Sequence, residues 1–457
     1  MTLYGEPRVW LERFPEGQAS EIYCDHLGLR YRGEVIRAAS WSPSWGEPLD
    51  QDVYFRIILM SRRSANLRPQ ISGSRIAVCL PGTMPSRRRA SSTGEVAAIR
   101  ETQALYLASD DPEADLIRST LRRRQQGLEQ ELLGEDSVRY SRGAVMTGVG
   151  PAMDATDIAA VFAGVDPLEW FQRLGARLLS QSYPALPIDA SGLERAITED
   201  DIPQIHRAIL DHPGGDHEVL TALGPALGFS SHAAPGVFDT SNCQPLSILR
   251  EWFNQQPEQA SFHAARTYLA HETGLTMPLA HLCLLLFVHT ESPPMEIRLT
   301  SRDGLSTVDG RPLLTTRLTS GLIPLLPWDM NLAGPGAQIG GESEPGWEDT
   351  IQHLSYLSTN LAALVQGSDM ATAEAVLAHS LQLLSQELAQ SRGVLAQFAQ
   401  ASGGPHPLDQ PAHWIGLQPS STKPLPGSPA YTGRFGACIQ THAWWKMISG
   451  PCTGWRR

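Results

Sequence analysis

Five groups of residues in the chain are of types that can do chemistry. His206, His212 and His217 lie close together and offer imidazole nitrogens of the kind that ligate zinc. A Gly214-Gly215 turn stands between the last two, however, and no spacing matches HExxH, so the reading is ordinary surface histidines. Glu199, Asp200 and Asp201 could share acid–base work. Asp201 with Gln204 instead fits a capping box with Pro203 in the first turn, where carboxylates suit the positive end of a helix dipole. Ser230, Ser231 and His232 pair a hydroxyl with a base, but adjacency in sequence does not orient one on the other, and loop polarity accounts for them. Cys438, His442 and Cys452 have sulfur and imidazole donors at an unusual spacing with no apparent fourth ligand. Arg87, Arg88 and Arg89, with Arg302, could contact phosphates; Arg87 to Arg89 read first as a solvated run in a basic loop.

Known reaction motifs are missing. No Gly-Lys dipeptide occurs, which excludes a P-loop; there is no GxSxG elbow and no CxxC pair. GVGPAMD, from Gly148 to Asp154, has the glycines of a phosphate loop without a strand-turn-helix context. No catalytic residue, metal or cofactor is therefore assigned. Composition points the same way: 42% apolar and 18% charged residues describe a folded globular chain. The first 145 residues hold 20 arginines against 19 carboxylates, and the acidic excess behind the net charge of −12 lies after them. That later part should repel a phosphate backbone. The cysteines are too scattered for a disulfide framework, and the start has neither signal-peptide nor membrane-span character, so a soluble cytoplasmic protein is expected.

The elements that would position these residues can be read in order. QDVYFRIILM and RIAVCLP are apolar, β-branched runs that predict two strands before a long helix, a small α/β unit. The helix runs from Glu95 to about Leu107, and Asp110, Asp111 and Pro112 end it and start another. In the second helix Ile117, Leu121, Leu128 and Leu132 share a face, with Arg122 to Arg124 outward. A helical stretch over 154–180 breaks at Asp166 and Pro167. PLSILREWFNQQ, FHAARTYLAHE and PLAHLCLLLFVHT make three helices, followed by a hairpin, MEIRLTSRDGLSTVDGRPLLTTRLT. There Ile297 and Leu299 alternate with Glu296 and Arg298, and Asp303-Gly304 and Asp309-Gly310 supply turns. Helix, helix, hairpin is the order of a winged helix, but the helix in the recognition position has no Arg or Lys and suits a protein core better than DNA. After a Gly/Pro-rich connector (Asn331 to Gly346), Leu377, Leu381, Leu384, Leu388, Leu395 and Phe398 form a heptad seam that calls for a coiled-coil partner.

The expected fold is thus mainly α, with small α/β and β-hairpin parts, in several domains. These are 1–145 (small α/β unit with long amphipathic helices), 146–240 (helical), 241–330 (winged-helix-like), 347–400 (helical hairpin or coiled coil) and 401–457 (irregular tail).

VAAIRETQALYLASDDPEADLIRSTLRRRQQGLEQELL, IDASGLERAITEDDIPQIHRAILDHP with ALGPALG, RTYLAHETGLTMPLAHLCLLLFV and DGRPLLTTRL together carry a resemblance over roughly residues 20–400. They resemble the region following the ATPase domain in large bacterial ATP-binding proteins of phage-resistance systems, of the BREX and phage-growth-limitation kind. The resemblance implies a role in antiphage defence, with ATP hydrolysed by a domain outside this chain and a P-loop ATPase or other defence component as partner. It also suggests that the chain is a fragment or the product of a split gene. No catalytic residue of the family maps onto a position here. The alternative is a DNA-binding winged-helix regulator using the wing and Arg87 to Arg89.

Overall fold

The computed structural model describes residues 5–342, apart from 64–68, 84–86, 107–111, 152, 212–217, 257–258, 302–304, 307–309, 311–315 and 333–335. The chain divides into two compact units, Met1–Phe287 and Val288–Arg457, and is mixed α/β. The segment expected to form a winged-helix-like unit is shared between the two.

The first unit is organised on a sheet whose strands stand in sequence order: β1 (Ala19–His26), β2 (Leu29–Ala38), β3 (Phe55–Met60), β4 (Ile76–Leu80), β5 (Ala144–Thr147) and β6 (Gly150–Pro151). β2, β3 and β4 run parallel; the other neighbours are antiparallel. The two expected strands are β3 and β4, buried on both faces as parallel strands are. β1 and β2 lie where the sequence suggested no strands. They form a two-residue hairpin in which Leu27 (φ 45°) and Gly28 (φ 82°) both take positive φ, the requirement of a type I′ turn.

Between β4 and β5 stand two long helices, α1 (Arg87–Tyr106) and α2 (Pro112–Ser141). Val96 and Ile99 pack on Leu128 and Leu132 with Leu121 beside them, and Arg122, Arg123 and Arg124 face outward. At 30 residues α2 is about 45 Å long. α1 starts eight residues ahead of the expected Glu95, because Arg89 points inward onto α2 instead of into solvent: it is 9% exposed and ion-paired with Asp136. α3 (Ala155–Val161) and α4 (Pro167–Ser182) are capped by Asp154 and Asp166, whose carboxylates accept from the N–H groups of Asp157 and Leu168. The break therefore falls at Asp166-Pro167. α4 lies on β1 and β3, and a Cβ on either Gly33 or Gly175 would meet the Phe55 ring at 2.3 or 2.8 Å. Glycine at both places lets sheet and helix close on that ring. The opposite sheet face packs Ile36, Ile58, Met60, Ile76 and Val78 under Trp41, Trp45 and Ile71.

The unit continues with α5 (Ile202–His206), α6 (Glu218–Leu227), α7 (Gln244–Asn254), a short extended segment β7 (Gln259–Ser261) and α8 (Phe262–Thr267). FHAARTYLAHE is not one α-helix. Its second half, Tyr268–Glu272, widens into a π turn. α9 (Met277–Thr290) is buried all round from Leu279 to Val288, as its continuous apolar sequence requires. No helix among the described residues is long and apolar enough to cross a membrane.

In the second unit β8 (Met295–Arg298) pairs antiparallel with β9 (Arg317–Thr319), Glu296 opposite Thr319, so the ends of the expected hairpin do meet. The Gly/Pro-rich connector supplies an unforeseen strand, β10 (Gln338–Gly341), on the other side of β8. Glu296 was expected on the solvent face but is fully buried. It accepts from Arg298 at 2.6 Å and from Arg317 at 2.9 and 2.7 Å, which replaces the water it loses. The seam from Leu377 to Phe398 and the tail after 400 lie outside the described residues.

Candidate functional site

The amino-terminal ends of β3 and β4 gather a set of ionisable side chains that hydrogen-bond one another and backbone carbonyls. Tyr54 immediately precedes β3 and Arg75 immediately precedes β4. Parallel pairing sets them side by side, with Arg56 N–H donating to the Arg75 carbonyl at 3.0 Å. Arg75 donates to the Tyr183 hydroxyl at 2.9 Å, lies 3.3 Å from Nδ1 of His271, and sits over the Tyr183 ring. The Tyr183 carbonyl accepts from Nε2 of His26 at 2.9 Å. Tyr31 stacks on Tyr183 and meets Tyr54 edge-on, with centroids 5.1 Å apart in the second pair. Their hydroxyls donate to the carbonyls of Gly274 (2.6 Å) and Leu275 (3.1 Å), fixing the loop before α9. Gly274 has φ 85°, and a Cβ there would strike the Tyr183 ring.

A second group borders the first. The exposed Gln51 accepts from Arg266 on α8 at 3.4 Å and lies 3.3 Å from Nε2 of His263. His263, Arg266 and Thr267 share one face of α8, three and four residues apart. Phe262, one turn before Arg266, packs edge-on against the ring of His281, 5.3 Å away.

The electrostatics follow from burial. Desolvation raises Tyr31, Tyr54 and Tyr183 above the usual phenol value, which keeps them protonated donors. Desolvation, then the Arg75 charge, lowers His271, so its neutral ring accepts from Arg75. Burial pulls His281 down to about 3, with Arg266 and His206 adding repulsion. Burial also lowers Arg266, against the pull of Asp52. The cluster can thus hold two guanidinium groups through neutral partners and keep two imidazoles uncharged.

The residues singled out in the sequence are not brought together there. Arg89 belongs to a buried network at the other end of the sheet; Arg87 and Arg88 lie in the first turn of α1, and Arg302 is outside the described residues. Asp201 is 3% exposed, gripped by both terminal nitrogens of Arg195 (2.7 and 2.5 Å) and by Thr198 N–H at 2.8 Å. It closes a capping box with Thr198, not with Gln204. His206 is buried at 3% rather than on the surface, because α5 turns it inward with Ile202 and Ile205; His212 and His217 are outside the described residues. Ser231 caps its own turn, accepting from Ala234 N–H at 3.1 Å, and the exposed His232 stands 3.9 Å from Asp189. Cys438, His442 and Cys452 also fall outside. Among the described residues no three His, Cys, Asp or Glu side chains gather as a metal site.

Sequence reasoning missed Tyr54, Arg75, Tyr183, Arg266 and His271. The one local signal was that Tyr54 and Arg75 each stand at the entrance of an apolar run. Comparison of the chain with family models, curated proteins and solved structures found no match.

Proposed function

We propose that the chain is a non-catalytic interaction or scaffold segment related to a bacterial antiphage-defence ATPase, lacking the ATPase domain itself. It would join a winged-helix-like core to a C-terminal coiled coil and bind a P-loop ATPase or another defence component. The observation that carries this reading is the α1–α2 hairpin. Its apolar seam runs through Val96, Ile99, Leu128 and Leu132, yet near the end of α1 and the start of α2 Leu105 and Leu116 stand 81% and 70% exposed. Large apolar side chains at the end of a long helical arm are what a protein contact consumes. Arg118 supports the arm's end, donating to the Tyr106 carbonyl at 2.8 Å and pairing with Asp115. The buried α9, without Arg or Lys, favours this reading over the DNA-binding regulator.

The test is co-expression with a P-loop ATPase of a bacterial antiphage-defence system. Co-purification of the two, lost on Leu105→Glu with Leu116→Glu while the fold is retained, is the expected result. A chain that stays monomeric in that mixture and hydrolyses nucleotide by itself would overturn it. Titration of a DNA duplex at two salt concentrations tests the regulator reading, since phosphate contacts give a steep salt slope.

A further inference from the structure

The amino-terminal end of the parallel strands carries two arginines with no carboxylate in direct contact, Asp52 acting on Arg266 only from beyond ion-pair distance. Arg75 is held by a phenol hydroxyl and an imidazole nitrogen, and Arg266 by a glutamine oxygen. Neither is ion-paired among the described residues. Three other half-buried or buried arginines of this unit do have carboxylates, Arg56 with Glu34 at 2.9 Å, Arg89 with Asp136 at 2.6 Å and Arg100 with Glu129 at 2.8 Å, while Arg37 and Arg139 donate to backbone carbonyls. Both arginines lie near enough to Tyr54 to act on its hydroxyl electrostatically, from the β4 side and the α8 side. Gln51 and Asp52 beside them are exposed, so the group opens to solvent.

The α8 face adds polar atoms in want of partners. Nε of Arg266, Nδ1 of His263 and the Thr267 hydroxyl are buried without a hydrogen bond, as is Nε2 of His281 behind them. A buried donor left unsatisfied costs about 1–3 kcal/mol, a cost an incoming acceptor would relieve. Guanidinium forks steered by neutral groups, with histidine and hydroxyl donors alongside, suit an oxyanion with several acceptor oxygens better than they suit a metal or an apolar ligand.

We propose that Arg75 and Arg266, with His263 and Thr267 on the α8 face, bind the phosphate group of a small phosphorylated ligand at the amino-terminal edge of β3 and β4. Gln51 and His271 act as positioning residues that hold the two guanidinium groups. The site is separate from the α1–α2 arm, so its fate is independent of the interaction reading above.

The experiment is calorimetric titration of the full chain with inorganic phosphate at constant ionic strength, with acetate in a parallel arm and thermal unfolding as a second readout. Saturable phosphate binding at millimolar concentration, a rise in Tm and no saturation by acetate are expected. Arg266→Gln and Arg75→Gln should each weaken binding by about tenfold or more. Arg266→Lys should retain part of it, and Arg123→Gln on the outer face of α2 should leave it unchanged. If the glutamine variants fail to fold, Arg266→Lys against the native chain decides, an unchanged affinity counting against the site. Saturation by acetate as strong as by phosphate would reassign the ligand to carboxylates and overturn the phosphate class. No saturation by phosphate, or binding indifferent to both glutamine substitutions, would overturn the proposal.

Discussion

The two ends of the parallel strands handle charge in opposite ways. At the carboxyl end Arg89 reaches across to Asp136 with contacts of 2.6 and 3.2 Å, and Trp10 Nε1 donates to the same carboxylate at 3.2 Å. Arg37 stacks on Trp10 and donates to the Phe14 carbonyl, while Arg139 donates to the Ser61 carbonyl and Tyr140 to the Met60 carbonyl. These bonds fasten the base of the α1–α2 arm to the sheet. At the amino end Arg75 and Arg266 hydrogen-bond only neutral groups, and Asp52 acts on Arg266 from beyond ion-pair distance. The difference lies in the partners: the carboxyl end is closed by one shared carboxylate and three backbone carbonyls, whereas Arg75 and Arg266 hold side-chain groups beside exposed residues, where the proposed ligand would reach them.

The largest expected effect breaks the fastened end. Asp136→Ala leaves Arg89 buried without its main counter-charge and should cost about 3–5 kcal/mol in urea unfolding. A loss below about 1 kcal/mol would mean that the carboxyl end is not held by this pair.

The next concerns acid. Folded His281 stays neutral down to about 3, while in the unfolded chain it titrates at its ordinary 6.5. Below 6.5 the unfolded state therefore binds more protons, and stability falls as pH drops until the folded value is reached. His271, lowered by burial and Arg75, acts in the same direction. At about pH 5 the His281 contribution is about 2 kcal/mol, and His281→Leu should flatten the acid limb of a stability–pH curve by that amount. An unchanged slope would show that His281 is solvated.

Tyr54→Phe removes the donor to Leu275 and should cost about 1–2 kcal/mol, read from the same unfolding curves. The smallest effect sharpens the contrast. Arg75→Gln, with no carboxylate to orphan, should cost only about 0.5–1 kcal/mol in the absence of anion. If it matched Asp136→Ala, the two ends would not differ.

The apolar runs at β3 and β4, the Asp166-Pro167 break before α4 and the seam of α2 were legible because each is a local pattern: a buried strand, a cap followed by proline, a 3.6-residue stripe. The β1–β2 hairpin was missed because its turn carries Leu27 where a hairpin signal usually shows asparagine or aspartate. β10 was missed because its glycines read as connector.

The sequence by itself determined which stretches become strand or helix and where several of them stop, since sterics, capping and hydrophobic periodicity act within a few residues. Tertiary structure alone decided that Arg89, His206 and Glu296 are inside. It also decided that Arg75 meets a histidine 196 positions away. Polar side chains are ambivalent: solvation and pairing are close in free energy, and the choice depends on a partner that only the folded chain brings near.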